Sequence, residues 1–295
     1  MLKPMKSYGI GDTPLIELPE VAGNRIFLKM ESHNHLGSVK ARTAYGIICG
    51  LEIPRSLVIV ESTSGNLGIA LDFFCKEDGR PFLCLLDESV VQAKIKHIQD
   101  CGIAFEIVPK EEGLDGRTSR MKRAAALNSS GEHFWVDQYN NENGVNIHKN
   151  TTGPEIFSQT NGEVTAVFCA VGSGGTISGV GEYMHTCGRK LNVFGVEPKG
   201  STIFHTVDKP YITAGAGLRG KPGNIRKHIG VISGAFEICD AESIANCKEL
   251  IKLGFNVGIT TGMAYSAATK YCGTKSGETV VVIAADGIEF YHDYL

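Results

Sequence analysis

Short apolar runs rich in β-branched residues alternate with longer stretches of helical periodicity along nearly the whole chain, and turn residues separate each pair. Strands are predicted over residues 26–31, 57–60, 82–86, 105–108, 133–136, 164–170, 193–197 and 279–283. Helices are predicted over 41–50, 66–76, 90–100, 117–127, 145–157, 177–185, 241–253 and 263–271, with Gly102 and Gly254 as stops. Gly153-Pro154 must bend or restart the fifth of these. The alternation predicts an α/β fold of parallel sheets with helices on both faces, in which ligands bind beyond the carboxyl ends of the strands.

Three stretches that carry chemistry each follow a predicted strand. In residues 33–42, HNHLGSVKAR, Lys40 stands between the turn at Gly37 and the start of a helix. An amine placed in such a pocket loses water, which lowers its pKa and frees it for nucleophilic work. Residues 61–68, ESTSGNLG, set Thr63, Ser64 and Asn66 around Gly65 at a helix start, where hydroxyls and backbone N–H groups can hold a carboxylate. A simple N-cap is the plainer reading of that loop. In Gly172-Ser173-Gly174-Gly175-Thr176, missing side chains let N–H groups approach an anion, and the following helix adds its positive end. Without a lysine in this loop the nucleotide P-loop pattern fails. The dinucleotide fingerprint fits Gly172, Gly174 and Glu197, but its third glycine falls on Ile177.

Composition narrows the class. The 295 residues are 42% hydrophobic and 21% charged with a formal net charge of -3, ordinary for a globular enzyme and without the basic block a nucleic-acid partner requires. Nine scattered cysteines with no CxxC pair point to a reducing compartment and to no structural zinc site. Residues 1–6 lack the apolar core of a signal peptide, and no apolar run reaches the length of a membrane span, so a cytoplasmic location is expected. His33, His35 and His148 show no HxxxH or HExxH spacing and read as solvated or packing side chains; no metal is expected.

Taken in order, Ser38-Val39-Lys40, Thr63-Ser64-Gly65-Asn66, Gln138, the TTGPEI of residues 151–156, the glycine loop and GITTG of residues 258–262 resemble the cysteine synthase and cystathionine β-synthase family of fold-type II pyridoxal phosphate enzymes. The likeness spans nearly the whole chain. It implies a two-lobed, tryptophan synthase β-like fold, with a smaller mobile lobe over residues 35–142 and a larger cofactor-binding lobe made of 1–34 and 143–295. It also implies a homodimer and small amino-acid substrates.

By the same resemblance Lys40 forms the internal aldimine, Gly172, Ser173, Gly174, Gly175 and Thr176 hold the cofactor phosphate, Asn66 bonds the ring hydroxyl oxygen, and Thr260 faces the pyridine nitrogen. Thr63, Ser64, Gly65 and Gln138 bind the substrate carboxylate. The implied reaction is β-replacement on O-acetylserine, O-phosphoserine, serine or cysteine through an aminoacrylate, with a sulfur nucleophile. Family members usually carry proline at His35, aspartate at Ala41 and threonine at Leu67, and Gln138-Tyr139-Asn140-Asn141-Glu142 departs from the sulfhydrylase pattern. The stretch 138–142, together with ESTSGNLG of residues 61–68 and Lys199-Gly200-Ser201, looks more like synthases that join an amine to an activated serine on the way to diaminopropionate. A non-catalytic partner protein of the same fold is a further alternative.

Overall fold

The computed structural model describes residues 2–63, 65–188 and 191–291. Its elements run β1 (Leu15–Glu17), β2 (Arg25–Met30), α1 (Lys40–Cys49), β3 (Val58–Ser62), α2 (Asn66–Glu77), β4 (Phe82–Leu86), α3 (Gln92–Asp100), β5 (Phe105–Ile107), α4 (Gly116–Asn128) and β6 (His133–Trp135). They continue with α5 (Glu142–Asn150), α6 (Thr152–Gln159), β7 (Ala166–Ala170), α7 (Gly175–Thr186), β8 (Asn192–Pro198), α8 (Gly223–Lys227), β9 (Gly234–Ile238), α9 (Asp240–Lys252), α10 (Ile259–Cys272) and β10 (Thr279–Ala284).

Two sheets result, and each has its own core. One has six strands in the order β1-β2-β10-β7-β8-β9, the other four in the order β5-β4-β3-β6. Pairing is parallel throughout except that β1 runs antiparallel to β2, a departure from the all-parallel expectation. Every residue of β10, TVVVIA, is buried, as a strand covered on both faces must be. Its Val280 and Val282 face α10 and α9 in the largest core, while Val281 and Ile283 join a second core against α7. A separate cluster, which includes Ile59, Phe74, Cys84 and Ile98, fills the four-stranded lobe.

Leu2, Met5, Tyr8 and Ile10 pack on that smaller core, whereas β1 and β2 belong to the larger sheet. The chain therefore passes between lobes three times, near residues 11–13, 34–38 and 137–141. Positive φ occurs at each passage, at Gly11 (91°) and Asp12 (49°), at Leu36 (74°) and Gly37 (70°), and at Asp137 (45°).

Two sequence expectations are corrected. The helix over 145–157 is two helices, and the break falls at Thr151 (φ -131°, ψ -69°) rather than at Gly153-Pro154. Pro154 is the third residue of α6, a position whose N–H would have no helical acceptor, so it starts that helix instead of bending it. The helix expected from residue 263 begins at Ile259 and so takes Thr260 into its first turn. β1 and β9 were not anticipated: the first is three residues long and the second a half-buried edge strand, GAFEI, with weak alternation.

A buried ion network ties α1 to α6. Arg42 bonds both oxygens of Glu31 (Nε–Oε2 2.7 Å, Nη2–Oε1 2.9 Å) and both of Glu155 (Nη1–Oε1 2.6 Å, Nη2–Oε2 2.7 Å). Lys29 Nζ reaches Glu155 Oε2 at 2.7 Å and donates to the Thr13 carbonyl at 2.7 Å. Arg42, Lys29 and Glu31 are each 0% exposed, so their charges are balanced inside the protein rather than by water.

Helices α5 and α7 meet backbone to backbone. A Cβ on Gly179 would lie 2.2 Å from the Val145 carbonyl oxygen, which belongs to the rigid backbone. Gly179→Ala is expected to cost about 1–3 kcal/mol by overpacking. Chemical denaturation should show a lower midpoint at unchanged slope; an unchanged midpoint would mean that the two helices separate freely.

Candidate active site

A cavity of about 570 Å³ opens between the two sheets, within the range of small-molecule sites. Lys40, Thr63, Asn66, Gln138, the whole loop from Gly172 to Thr176 and Thr260 all line it. Residues up to 260 − 40 = 220 positions apart in sequence thus face one space. Gly65 is buried and is not among the lining residues, and Ser64 is outside the described residues.

Lys40 is the first residue of α1 and follows a turn with Leu36 and Gly37 at positive φ. Val39 N–H donates to the Ala285 carbonyl at 2.8 Å, which pins the helix start to the end of β10. Lys40 is partly exposed and lines the cavity. Burial lowers the Lys40 pKa, an effect partly opposed by the Asp286 carboxylate.

The glycine loop follows β7. Gly174 has φ 86° and a Cβ there would meet Ile225 Cγ1 at 2.7 Å, so conformation and space both demand glycine. α7 has no side-chain cap, which leaves its first N–H groups for a ligand. Thr176 Oγ1 lies 3.3 Å from His148 Nε2, and His148 also meets Thr43 Oγ1 at 3.1 Å and Thr152 Oγ1 at 2.9 Å. Burial, with Arg42 and Lys40 nearby, holds the His148 pKa well below 6.5, so the ring is neutral. His148 is a packing histidine, as read from the sequence. It also orients a hydroxyl of the loop.

Loop 63–66 differs from a plain N-cap. Thr63 Oγ1 accepts from Gly65 N–H at 3.1 Å, and no side chain caps α2. Asn66 Nδ2 donates to Asp286 Oδ2 at 2.9 Å, and Thr260 Oγ1 lies 3.4 Å from Asp286 Oδ1. Gln138 takes the Ser62 carbonyl with Nε2 at 2.9 Å and gives its backbone N–H to Glu61 Oε2 at 3.0 Å. One hydrogen of that amide group remains for a ligand.

Sequence reasoning passed over several residues. Asp286, 7% exposed, joins Asn66, Thr260 and Tyr291, whose OH donates to it at 2.6 Å; burial raises its pKa. Its position in Asp-Gly just after the last strand was the available signal. Asn224 Nδ2 bridges the carbonyls of Gln138 (2.8 Å) and Ser173 (3.0 Å), fixing the glycine loop against the Gln138 turn. Lys94, 5% exposed, also lines the cavity, and nothing in its sequence context marks it.

Pyridoxal phosphate meets a matching donor set here. A buried amine without a hydrogen-bond partner among the described residues suits its aldehyde, and an uncapped helix start without acidic side chains suits its phosphate. The dinucleotide alternative loses its acidic residue, because Glu197 is buried and accepts from Ser201 Oγ, Ile203 N–H, Phe204 N–H and His205 N–H. Among the described residues no group of three His, Cys, Asp or Glu is placed to hold a metal ion. No helix among them is long and apolar enough to cross a membrane.

The profile of the family described as "Pyridoxal-phosphate dependent enzyme" matches residues 6–286. The chain belongs to that family. A cysteine synthase from Buchnera aphidicola is 31% identical over 97% of this chain and 95% of its own length. Cysteine synthase B of Salmonella typhimurium is 30% identical over 94% of this chain and 90% of its own. Among solved structures, the O-acetylserine dependent cystathionine β-synthase of Helicobacter pylori superposes with a TM-score of 0.89 at 26% identity, covering 99% of this chain and 98% of that one. A hydrogen sulfide-producing enzyme of Fusobacterium nucleatum gives a TM-score of 0.88 at 26% identity over 99% of this chain and 100% of that one. The fold is the two-lobed fold-type II fold, and the protein is a pyridoxal phosphate enzyme of β-replacement in the cysteine synthase family.

Proposed function

We propose that this pyridoxal phosphate enzyme takes a serine-type donor (O-acetylserine, O-phosphoserine, serine or cysteine) and replaces its β-substituent with a sulfur nucleophile. One observation carries the reading: the Lys40 amine and the uncapped start of α7 open into a single cavity with loop 63–66. The relatives support it, being cysteine synthases by description.

The cofactor, when bound, supplies an electron sink for a carbanion at the substrate α-carbon. The remaining work falls to the chain. The Lys40 amine, made less basic by burial, would hold the cofactor at its aldehyde and is the base placed to take the substrate α-proton. Backbone N–H groups of the glycine loop and the Ser173 and Thr176 hydroxyls hold the phosphate. Asn66 and Thr260, both on the cavity wall and both tied to Asp286, would hold the cofactor ring. The Thr63 hydroxyl, the α2 start and the remaining Gln138 amide hydrogen bind the substrate carboxylate and so orient the α-carbon.

The test mixes purified, cofactor-loaded protein with each donor and follows the visible absorption band, then adds sulfide or an amino acid. A donor should shift the band, and sulfide should restore it faster than any amine. Restoration by amino acids and not by sulfide would replace this reading with the amine-adding one. One observation favours that second reading: apolar Leu67, 2% exposed, stands on the cavity wall where the family usually offers a hydroxyl. No shift with any donor would sink both.

A further inference from the structure

Besides the one bearing Lys40, the uncapped helix starts that face the cavity are those of α7, α2, α3 and α10. The cofactor phosphate and the substrate carboxylate account for the first two. The third has a lysine of its own. Lys94 is the third residue of α3, 5% exposed, and its side chain lines the cavity with Val90 and Val91. Among the described residues its amine has neither a hydrogen-bond acceptor nor a carboxylate within ion-pair distance; burial lowers its pKa, and the Asp286 carboxylate, farther off, opposes that shift. It lies instead 4.7 Å from the centre of the Phe290 ring and 5.7 Å from that of Tyr291.

Ring faces attract a cation but satisfy none of its hydrogen bonds. The other buried cation on this wall, Arg120, is already paired with Asp87 at 2.9 Å. The Lys94 stem crosses the bare Cα of Gly65, where a Cβ would come 1.9 Å from Lys94 Cδ. Glycine at 65 is therefore what admits the lysine to the substrate loop. A buried, unsatisfied ammonium and open helical N–H groups on the same side of a cavity are the parts of an anion site.

We propose that Lys94 and the first turn of α3 form a subsite for the distal negative group of an amino-acid substrate. Two molecules carry such a group: a phosphorylated serine donor, through its leaving phosphate, and an acidic amino-acid nucleophile, through its side-chain carboxylate. The inference rests on the β-replacement reading and narrows its substrate class. The subsite discriminates because a neutral partner leaves the ammonium without an acceptor.

The experiment compares wild type with Lys94→Met and Lys94→Arg in the holoenzyme, following the visible band. One arm titrates O-phosphoserine against O-acetylserine as donor. The other discharges the donor-loaded protein with glutamate or aspartate against sulfide and alanine. In one arm, Lys94→Met is expected to weaken the half-saturating concentration of the charged partner by about tenfold more than that of the neutral one, with Lys94→Arg recovering part of the loss. The arm that responds identifies the source of the anion. Equal losses for charged and neutral partners would assign Lys94 to the common α-carboxylate and overturn the subsite while the β-replacement reading stands. A band that no donor shifts in wild type would overturn the reading, and the subsite with it.

Discussion

Lys40→Ala is expected to fold, to lose at least about 10³-fold in turnover, and to retain no covalently held cofactor. Borohydride reduction of wild-type holoenzyme followed by peptide mass analysis should place the added mass on the peptide containing Lys40, and the variant should carry none there. The control matters because the cavity holds a second buried lysine. Label on Lys94 in wild-type protein would transfer the anchoring role to α3 and void the mechanism. Denaturation midpoints close to wild type would show that the lost activity is chemical, since Lys40 makes no hydrogen bond or ion pair within the described residues that its removal would break.

The second large effect concerns stability. Arg42→Ala removes the cation between Glu31 and Glu155 and leaves the fully buried Glu31 carboxylate without a cation, a change of about 3–5 kcal/mol. The denaturation midpoint should fall accordingly; a loss below about 1 kcal/mol would show that the carboxylates find other partners or protons. Acid probes the same network in wild type. Arg42 and Lys29 hold the Glu155 pKa at about 2, below the ordinary 4.5. Its contribution is thus complete above the unfolded value and drains away as pH falls from about 4.5 toward 2.

The fold was largely legible because its signal is local: β-branched runs and helical stripes separated by glycine stops appear in the order the structure uses them. Helix α2 starts at Asn66 and β4 spans Phe82–Leu86, as expected from the pattern. The strands it missed are held by their neighbours rather than by their own composition. β1 has three residues and owes its conformation to pairing with β2, and β9 to pairing with β8. The cavity residues with a motif around them, such as Lys40 and the glycine loop, could be picked out. Asn224 and Lys94 could not, because their meaning is a matter of what lies across the cleft. Asn224 becomes a brace only once Gln138 and Ser173 stand on either side of it.

The threefold passage of the chain between its halves has a mechanical consequence. Any displacement of one sheet against the other must be absorbed in three short connections, each already containing backbone that turns left-handed. The middle one leads directly into the residue that bears the reactive amine, and in the first the space beside the Gly11 Cα is taken up by Glu155 and Arg42, so that an added Cβ would lie 3.3 Å from Glu155 Oε1. A tilt of the smaller half would therefore re-aim the nucleophile and load the charge cluster in the same movement, because position and chemistry share one joint.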